Sequence, residues 1–156
     1  MEKIFQNSPH FIQNLLISLF NILAYKKRYG GKYLEYLKQY KANNNLTLDE
    51  LNKIQFNKLK GFLNHASINS VFYKKLYHTI DLSSIRSIQD LKLLPIVDKE
   101  LLRTNWSEVQ TIPKRDGIVS KTGGTTGKSL EVVFTTNDMQ DRFAMLDNFR
   151  NKFGYK

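Results

Sequence analysis

The apolar residues of this chain repeat at helical spacing as far as Pro113, where β-branched runs on either side of a Gly/Thr-rich segment take over. A repeat of three to four residues is typical of helices that bury one face, whereas short β-branched runs are typical of strands. The sequence therefore predicts a helical region over 1–112. A strand, a loop, a strand and a helix are predicted over 113–156, so we expect an α+β fold.

Capping residues mark where the predicted helices begin. Ser8 and Pro9 suit an N-cap and a first helical residue, and a Gly-Gly pair at 30–31 ends that helix. Thr47 with Glu50 three residues later matches a capping box that opens a second long helix. Shorter helices are predicted at 33–40, at 71–77, from Ser87 to Pro95, from Asp98 to about Trp106, and after a cap at Thr136 or Asn137.

The helix after Pro9 carries a wide apolar arc. Its members are Phe11, Ile12, Leu15, Leu16, Leu19, Phe20, Ile22 and Leu23. Either another segment covers this arc, or it lies in the interfacial layer of a membrane with Lys26, Lys27 and Arg28 at the headgroups. Because amphipathic helices mostly face protein cores, we expect another segment to cover it.

The amino-acid composition excludes several classes of protein. The chain has 156 residues, no Cys and a net charge of +10, which excludes a disulfide scaffold and thiolate sites. No apolar run reaches the ~20 residues of a membrane span, and the start lacks a secretory signal pattern.

We expect a cytoplasmic protein that binds no nucleic acid, because scattered lysines solubilise without recognition. His10, His65 and His78 are not spaced as a metal cluster, so we expect no metal site.

The segment Lys121–Ser129, with the sequence KTGGTTGKS, carries the clearest chemistry. Glycines let a backbone approach a ligand closely and let consecutive N–H groups converge on an anion. Threonine hydroxyls and lysine ammonium groups add further donors. No residue in the segment is a good base or nucleophile, so the pattern predicts phosphate binding and no catalytic residue. From composition alone, a solvated hairpin loop remains an alternative.

A mononucleotide P-loop is excluded. Gly127-Lys128-Ser129 matches the end of the template G-x-x-x-x-G-K-[ST]. That template needs Gly where Thr122 stands, and it joins a strand to a helix. The residues after Ser129 have the composition of a strand instead.

The same segment resembles the phosphate-binding signature of the adenylate-forming enzymes, [ST]-[SG]-G-[ST]-T-G-x-P, which lies between two strands. The matching residues are Thr122, Gly123, Gly124, Thr125, Thr126 and Gly127, with Lys128 at the variable position. Two positions depart from the family pattern, because Ser129 replaces the usual Pro and Leu130 replaces the usual Lys.

Further stretches resemble one branch of that family, the phenylacetate–coenzyme A ligases. NHA at 64–66 with VFYK at 71–74 is similar to one segment of the branch, and LPI at 94–96 with KELLR at 99–103 is similar to another. The start of the chain resembles the subset associated with capsular polysaccharide biosynthesis. The likeness runs through nearly the whole chain in the family's order.

The resemblance implies an N-terminal fragment of an α/β parent: the helical region, then the first β-hairpin and helix of the AMP-binding large domain. The rest of the catalytic domain and the C-terminal lid would be absent. The implied reaction activates a small-molecule carboxylate with ATP and Mg²⁺ as an acyl-adenylate, with coenzyme A as acyl acceptor. The residues implied to hold the ATP phosphates are Thr122, Gly123, Gly124, Thr125, Thr126, Gly127 and Lys128.

We expect the 156-residue chain alone to be incomplete and inactive. A separately encoded C-terminal part would then be its partner. A second function also stays open, that of a non-catalytic, truncated remnant whose basic helical half binds a protein partner or an anionic membrane surface. Only the first function predicts that ATP binds at the Gly/Thr segment.

Overall fold

The computed structural model describes residues 5–123 and 129–155, which are mostly helical and include one two-stranded antiparallel sheet. This is the α+β class predicted from the sequence. The α-helices and strands are α1 (His10–Tyr29), α2 (Tyr33–Asn43), α3 (Leu48–Asn69), α4 (Val71–Leu76), α5 (Lys99–Thr104), α6 (Trp106–Val109), β1 (Ile118–Lys121), β2 (Glu131–Phe134) and α7 (Thr136–Lys152). Short 3₁₀ turns lie at Leu82–Ser84, Ile88–Leu93 and Lys114–Asp116.

The capping box at the start of α3 is confirmed. The Thr47 N–H donates to Glu50 Oε2 at 2.8 Å, and the Glu50 N–H donates to Thr47 Oγ1 at 3.3 Å. These bonds satisfy two N–H groups that the first helical turn leaves without carbonyl partners. The Glu50 carboxylate accepts from both the N–H and the hydroxyl of Thr47, and these bonds lower its pKa because they favour the charged form.

Two of the predicted helix starts are displaced. Ser8 is not the N-cap of α1, since Pro9 occupies that position and no side chain caps the helix. Pro9 is extended there, with ψ at 150°, and its carbonyl accepts from Ile12 N–H at 2.9 Å, so the helix begins one residue later than predicted. α7 begins at Thr136, so Thr136 and Asn137 are helical residues and neither is the cap that was predicted there.

The central unit comprises residues 45–135. Its buried core is formed by Leu63, Tyr77 and Ile85. Half-buried neighbours packed against that core include Phe56, Leu59, Tyr73, Leu76, Ile80, Leu82 and Leu94. The core thus joins α3 and α4 to the 3₁₀ turns that follow them.

The terminal unit comprises the chain up to Asn44 together with the residues from Thr136 onward. Here α7 packs along α2, and two tyrosines of α2 bond to acidic residues of α7. Tyr33 Oη donates to Asp147 Oδ2 at 2.9 Å, and Tyr40 Oη donates to Asp141 Oδ1 at 2.7 Å. Burial, followed by the bond to Asp147, raises the pKa of Tyr33 to about 12.

The turn between α1 and α2 is fixed by Gln140 of α7, whose side chain is 4% exposed. Gln140 Oε1 accepts from Lys32 N–H at 3.0 Å, and Gln140 Nε2 donates to the Lys27 carbonyl at 3.0 Å. Gly31 lies between them with φ at +50°, a conformation that favours glycine. A Cβ at Gly31 would also lie 2.8 Å from Gln140 Oε1, so both the backbone and the packing select glycine.

α1 contains no buried residue. Within the described residues, the expectation that another segment covers its apolar arc is therefore not met. Among the same residues, no helix combines the length and the apolar character needed to cross a membrane.

Candidate phosphate-binding site

The hairpin that carries the Gly/Thr segment is antiparallel. Its register pairs Ile118 with Phe134 at one end and Lys121 with Glu131 at the end next to the segment. The predicted strand after Ser129 is confirmed as β2, and a segment followed by a strand is incompatible with a P-loop, which leads into a helix.

Three side chains tie the hairpin to the helices of the central unit. Trp106 Nε1 donates to the Glu131 carbonyl at 2.8 Å. Lys114 Nζ lies 4.3 Å from the centroid of the Trp106 ring and also pairs with the Glu131 carboxylate. β2 is thereby held against α6 and against the turn that precedes β1.

The sequence alone did not indicate that Trp106, Lys114 and Glu131 hold the hairpin in place. Trp106 is the only Trp in the chain, and a lone Trp can mark a packing centre. The Trp106 side chain bonds to the backbone carbonyl of Glu131, which lies 25 residues further along the chain. Nothing in the local sequence indicates that pairing.

Gly117 allows the start of β1 to approach β2 closely. A Cβ at this position would lie 2.4 Å from Val133 Cγ1 and 3.0 Å from Ile112 Cδ1. Real Cβ atoms do not approach carbon so closely, so any larger residue must displace one of these side chains. The path of β1 into the Gly/Thr segment therefore depends on glycine here.

Thr122 closes the hairpin at the first position of the predicted site. Its N–H donates to the Leu130 carbonyl at 2.9 Å, and its Oγ1 accepts from Leu130 N–H at 2.9 Å. The Thr122 amide is thus occupied by the hairpin in this structure. The hydroxyl proton of Thr122 can still be donated to an anion, because accepting a bond does not use it.

Gly123 is exposed, and a Cβ placed there would meet no atom within 4 Å. The exposed Ser129 directly precedes Leu130 and β2. The structure thus places both ends of the predicted site at the tip of the hairpin. The remaining predicted residues lie outside the described residues: Gly124, Thr125, Thr126, Gly127 and Lys128.

The charges at this tip suit an anion. Lys121 is exposed at the end of β1, and Glu131, opposite it in the register, is ion-paired with Lys114. Within the described residues, no group of three or more His, Cys, Asp or Glu side chains could hold a metal ion. The described donors can bind and orient an anion, but none of them is a base suited to proton transfer.

A cavity of about 190 Å³ lies in the central unit beside β2. It is bordered by α6 and by residues 130–133, and Gln110 lines it. Gln110 Nε2 is buried and has no partner among the described residues. Pockets for small-molecule ligands usually exceed about 300 Å³, so we assign no ligand to this cavity.

Comparison with known proteins yields one informative similarity. No protein-family model matches the chain. The chain is 32% identical over 157 aligned residues to Protein CapK of Staphylococcus aureus, an alignment that covers 99% of this chain and 33% of CapK. The chain thus spans about a third of the length of this curated relative.

Proposed function

We propose that this chain is the N-terminal part of an ATP-dependent, carboxylate-activating ligase, and that residues 122–128 bind the phosphates of ATP. One structural observation carries the proposal. The Gly/Thr segment joins two antiparallel strands, and the signature that it resembles in the adenylate-forming enzymes also lies between two strands. A hairpin tip with open space around Gly123 and an exposed Lys121 is compatible with an anion at this position.

In the proposed reaction a carboxylate oxygen attacks the α-phosphorus of ATP, giving an acyl-adenylate and pyrophosphate. Residues 122–128 would hold the β- and γ-phosphates, so that the leaving pyrophosphate is aligned and its growing charge is neutralised. Mg²⁺ would supply further charge neutralisation on the phosphate oxygens. The donor set fits this role, because backbone amides, hydroxyls and ammonium groups are the usual partners of phosphate.

The second half-reaction in this proposal passes the acyl group to coenzyme A. Because ATP and coenzyme A are intracellular metabolites, we place the activity in the cytoplasm. The similarity to CapK, whose name points to a capsule-related role, supports a link to surface polysaccharide synthesis.

Calorimetric titration of the 156-residue chain with Mg·ATP tests the proposal. Lys128→Ala should weaken binding by about 10- to 100-fold, because charge-assisted hydrogen bonds contribute about 1.5–3 kcal/mol. Lys92→Ala is the matched control, since it removes the same charge from an exposed site elsewhere in the central unit. It should leave the affinity unchanged.

Two results of the titration would contradict the proposal. If Mg·ATP does not bind, or if Lys128→Ala and Lys92→Ala have the same effect, the Gly/Thr segment is not a nucleotide site. The non-catalytic interaction module would then be the better description of the chain.

A further inference from the structure

α1 presents a broad apolar face to solvent. Phe11, Leu15, Leu19 and Ile22 are 72%, 67%, 52% and 54% exposed. At about 3.6 residues per turn these four side chains lie along one side of the helix. Leu16, Phe20 and Leu23, also exposed, widen the same face. We call this set of seven residues the α1 apolar face.

The last turn of α1 contacts α7. The Lys27 carbonyl accepts from Gln140 Nε2. The Tyr29 ring lies 5.8 Å from the Phe143 ring, and the Arg28 guanidinium lies 5.3 Å from the same ring. The α1 apolar face precedes this anchored turn, and within the described residues it is exposed.

The charges of α1 are of one sign and lie at one end. The helix contains no acidic residue, and Lys26, Lys27 and Arg28 form its last turn. Among the described residues, neither Lys26 nor Lys27 has an acidic partner. A surface complementary to this helix is therefore apolar along most of its length and anionic at one end.

We propose that α1 lies in the interfacial layer of an anionic lipid membrane, with the α1 apolar face toward the acyl chains and Lys26 and Lys27 at lipid phosphates. A wide apolar arc with basic residues and no acidic ones is the pattern of interfacial helices. This inference is independent of the proposed nucleotide site, so either can fail without the other.

Vesicle co-sedimentation of the 156-residue chain provides the first test. We expect binding to vesicles of equal parts phosphatidylglycerol and phosphatidylcholine, and much weaker binding to pure phosphatidylcholine. The difference should shrink in high salt, because the screening length falls from about 10 Å at 0.1 M to about 3 Å at 1 M ionic strength.

Paired variants separate the apolar and basic contributions. Leu15→Ser with Leu19→Ser should abolish binding, and circular dichroism checks that α1 stays helical. Lys26→Gln with Lys27→Gln should weaken binding about 30-fold, since each basic residue near an anionic surface contributes about fivefold. Lys38→Gln with Lys41→Gln removes the same charge from exposed positions of α2 and should have a much smaller effect.

The orientation of the helix can be measured directly, because the chain has no Cys and accepts a single label. A nitroxide at Leu19→Cys, on the α1 apolar face, should become accessible to oxygen and protected from a water-soluble relaxation agent when anionic vesicles are added. At Asn21→Cys, on the opposite side of the helix, the label should stay accessible to the water-soluble agent.

Two outcomes would overturn the inference. The first is a folded chain that does not bind anionic vesicles. The second is a dimer in analytical ultracentrifugation that Leu15→Ser with Leu19→Ser dissociates, combined with no response of the Leu19→Cys label to lipid. The α1 apolar face would then be covered by a second copy of the chain.

Discussion

Ser70 has no exposed surface, and its hydroxyl both donates and accepts a hydrogen bond. Its Oγ donates to the Glu108 carbonyl at 2.9 Å and accepts from Tyr73 N–H at 3.3 Å. The first bond joins α4 to α6 across 38 residues of sequence, and the second caps α4. One small polar side chain thus fixes the position of the helix that leads to the hairpin.

Replacing Ser70 with Ala should lower the free energy of unfolding by about 1–2 kcal/mol, because the cap is lost and a buried carbonyl loses its donor. Urea denaturation measures the change. Ser67→Ala is the control, since the Ser67 hydroxyl bonds only within its own helix, to the Asn64 carbonyl. Equal losses in the two variants would show that the Ser70 hydroxyl has no special role.

Tyr33 should make stability fall at high pH. Burial and the bond to Asp147 raise its pKa to about 12, whereas an unfolded tyrosine titrates near pH 10. Between these values the unfolded chain loses the proton first, so stability that is fully present below about pH 10 is lost as the pH rises toward 12.

Ultraviolet titration of tyrosinate checks this assignment. The wild-type chain should show a late-titrating component that Tyr33→Phe reduces. Tyr155→Phe, at an exposed position, serves as the control and should leave that component intact. A wild-type titration with every tyrosine ionising near pH 10 would contradict the raised pKa of Tyr33.

At this scale, the success of sequence reasoning depended on how far apart the partners lie. The capping box of Thr47 and Glu50 was predicted correctly because both residues belong to one helical turn. The bonds of Gln140 to Lys27 and Lys32 were missed because they span more than 100 residues. The start of α1 was misplaced because Ser8 and Pro9 are both favourable at helix starts.

Among the elements, the hairpin is the one whose shape bears on the proposed function. Gly117→Ala should reduce the free energy of unfolding by about 1–3 kcal/mol, since its Cβ would collide with Val133 and Ile112. Gly61→Ala should act in the opposite direction. A Cβ at Gly61 meets nothing within 4 Å, and Ala is favoured over Gly in helices by about 1 kcal/mol.

Denaturation curves of both variants test this prediction. Opposite signs support the close approach of β1 to β2 at Gly117. Stabilisation by both substitutions would mean that the chain near Gly117 has more room than the structure shows.

The types of the longer helices and of the strands were predictable because they are encoded locally, whereas the helix predicted from Ser87 to Pro95 is a 3₁₀ turn and α6 was not predicted. The β-branched run in β2 and the glycines before it indicated a hairpin without any tertiary information. The exposure of the α1 apolar face was not predictable, because the same pattern serves a buried helix and an interfacial one. Only the positions of the other helices and strands show whether such a face is buried or exposed.

At the scale of the whole molecule, the chain forms a central unit and a terminal unit. The terminal unit brings α7 back to α1 and α2. The first boundary between the units falls within the Asn run at 43–45, but nothing in the local sequence indicates that the residues from Thr136 onward join those up to Asn44. The sequence pattern instead changes from helical to strand-forming at Pro113. A boundary between two functional parts of the chain at that residue remains a prediction.

The function proposed for the molecule depends on whether an anion binds within residues 122–128. The hydrogen bond from Thr122 N–H to Leu130 makes a specific distinction possible. That amide should already be protected from exchange without ligand, whereas any protection of the following amides by a nucleotide must come from the nucleotide itself.

Amide hydrogen exchange of the 156-residue chain, with and without Mg·ATP, is the most direct measurement. The proposal predicts that Mg·ATP slows exchange at residues 123–128, that adenosine does not, and that Lys128→Ala removes the effect. Unchanged exchange at 123–128 under saturating Mg·ATP, with Thr122 protected throughout, would contradict it.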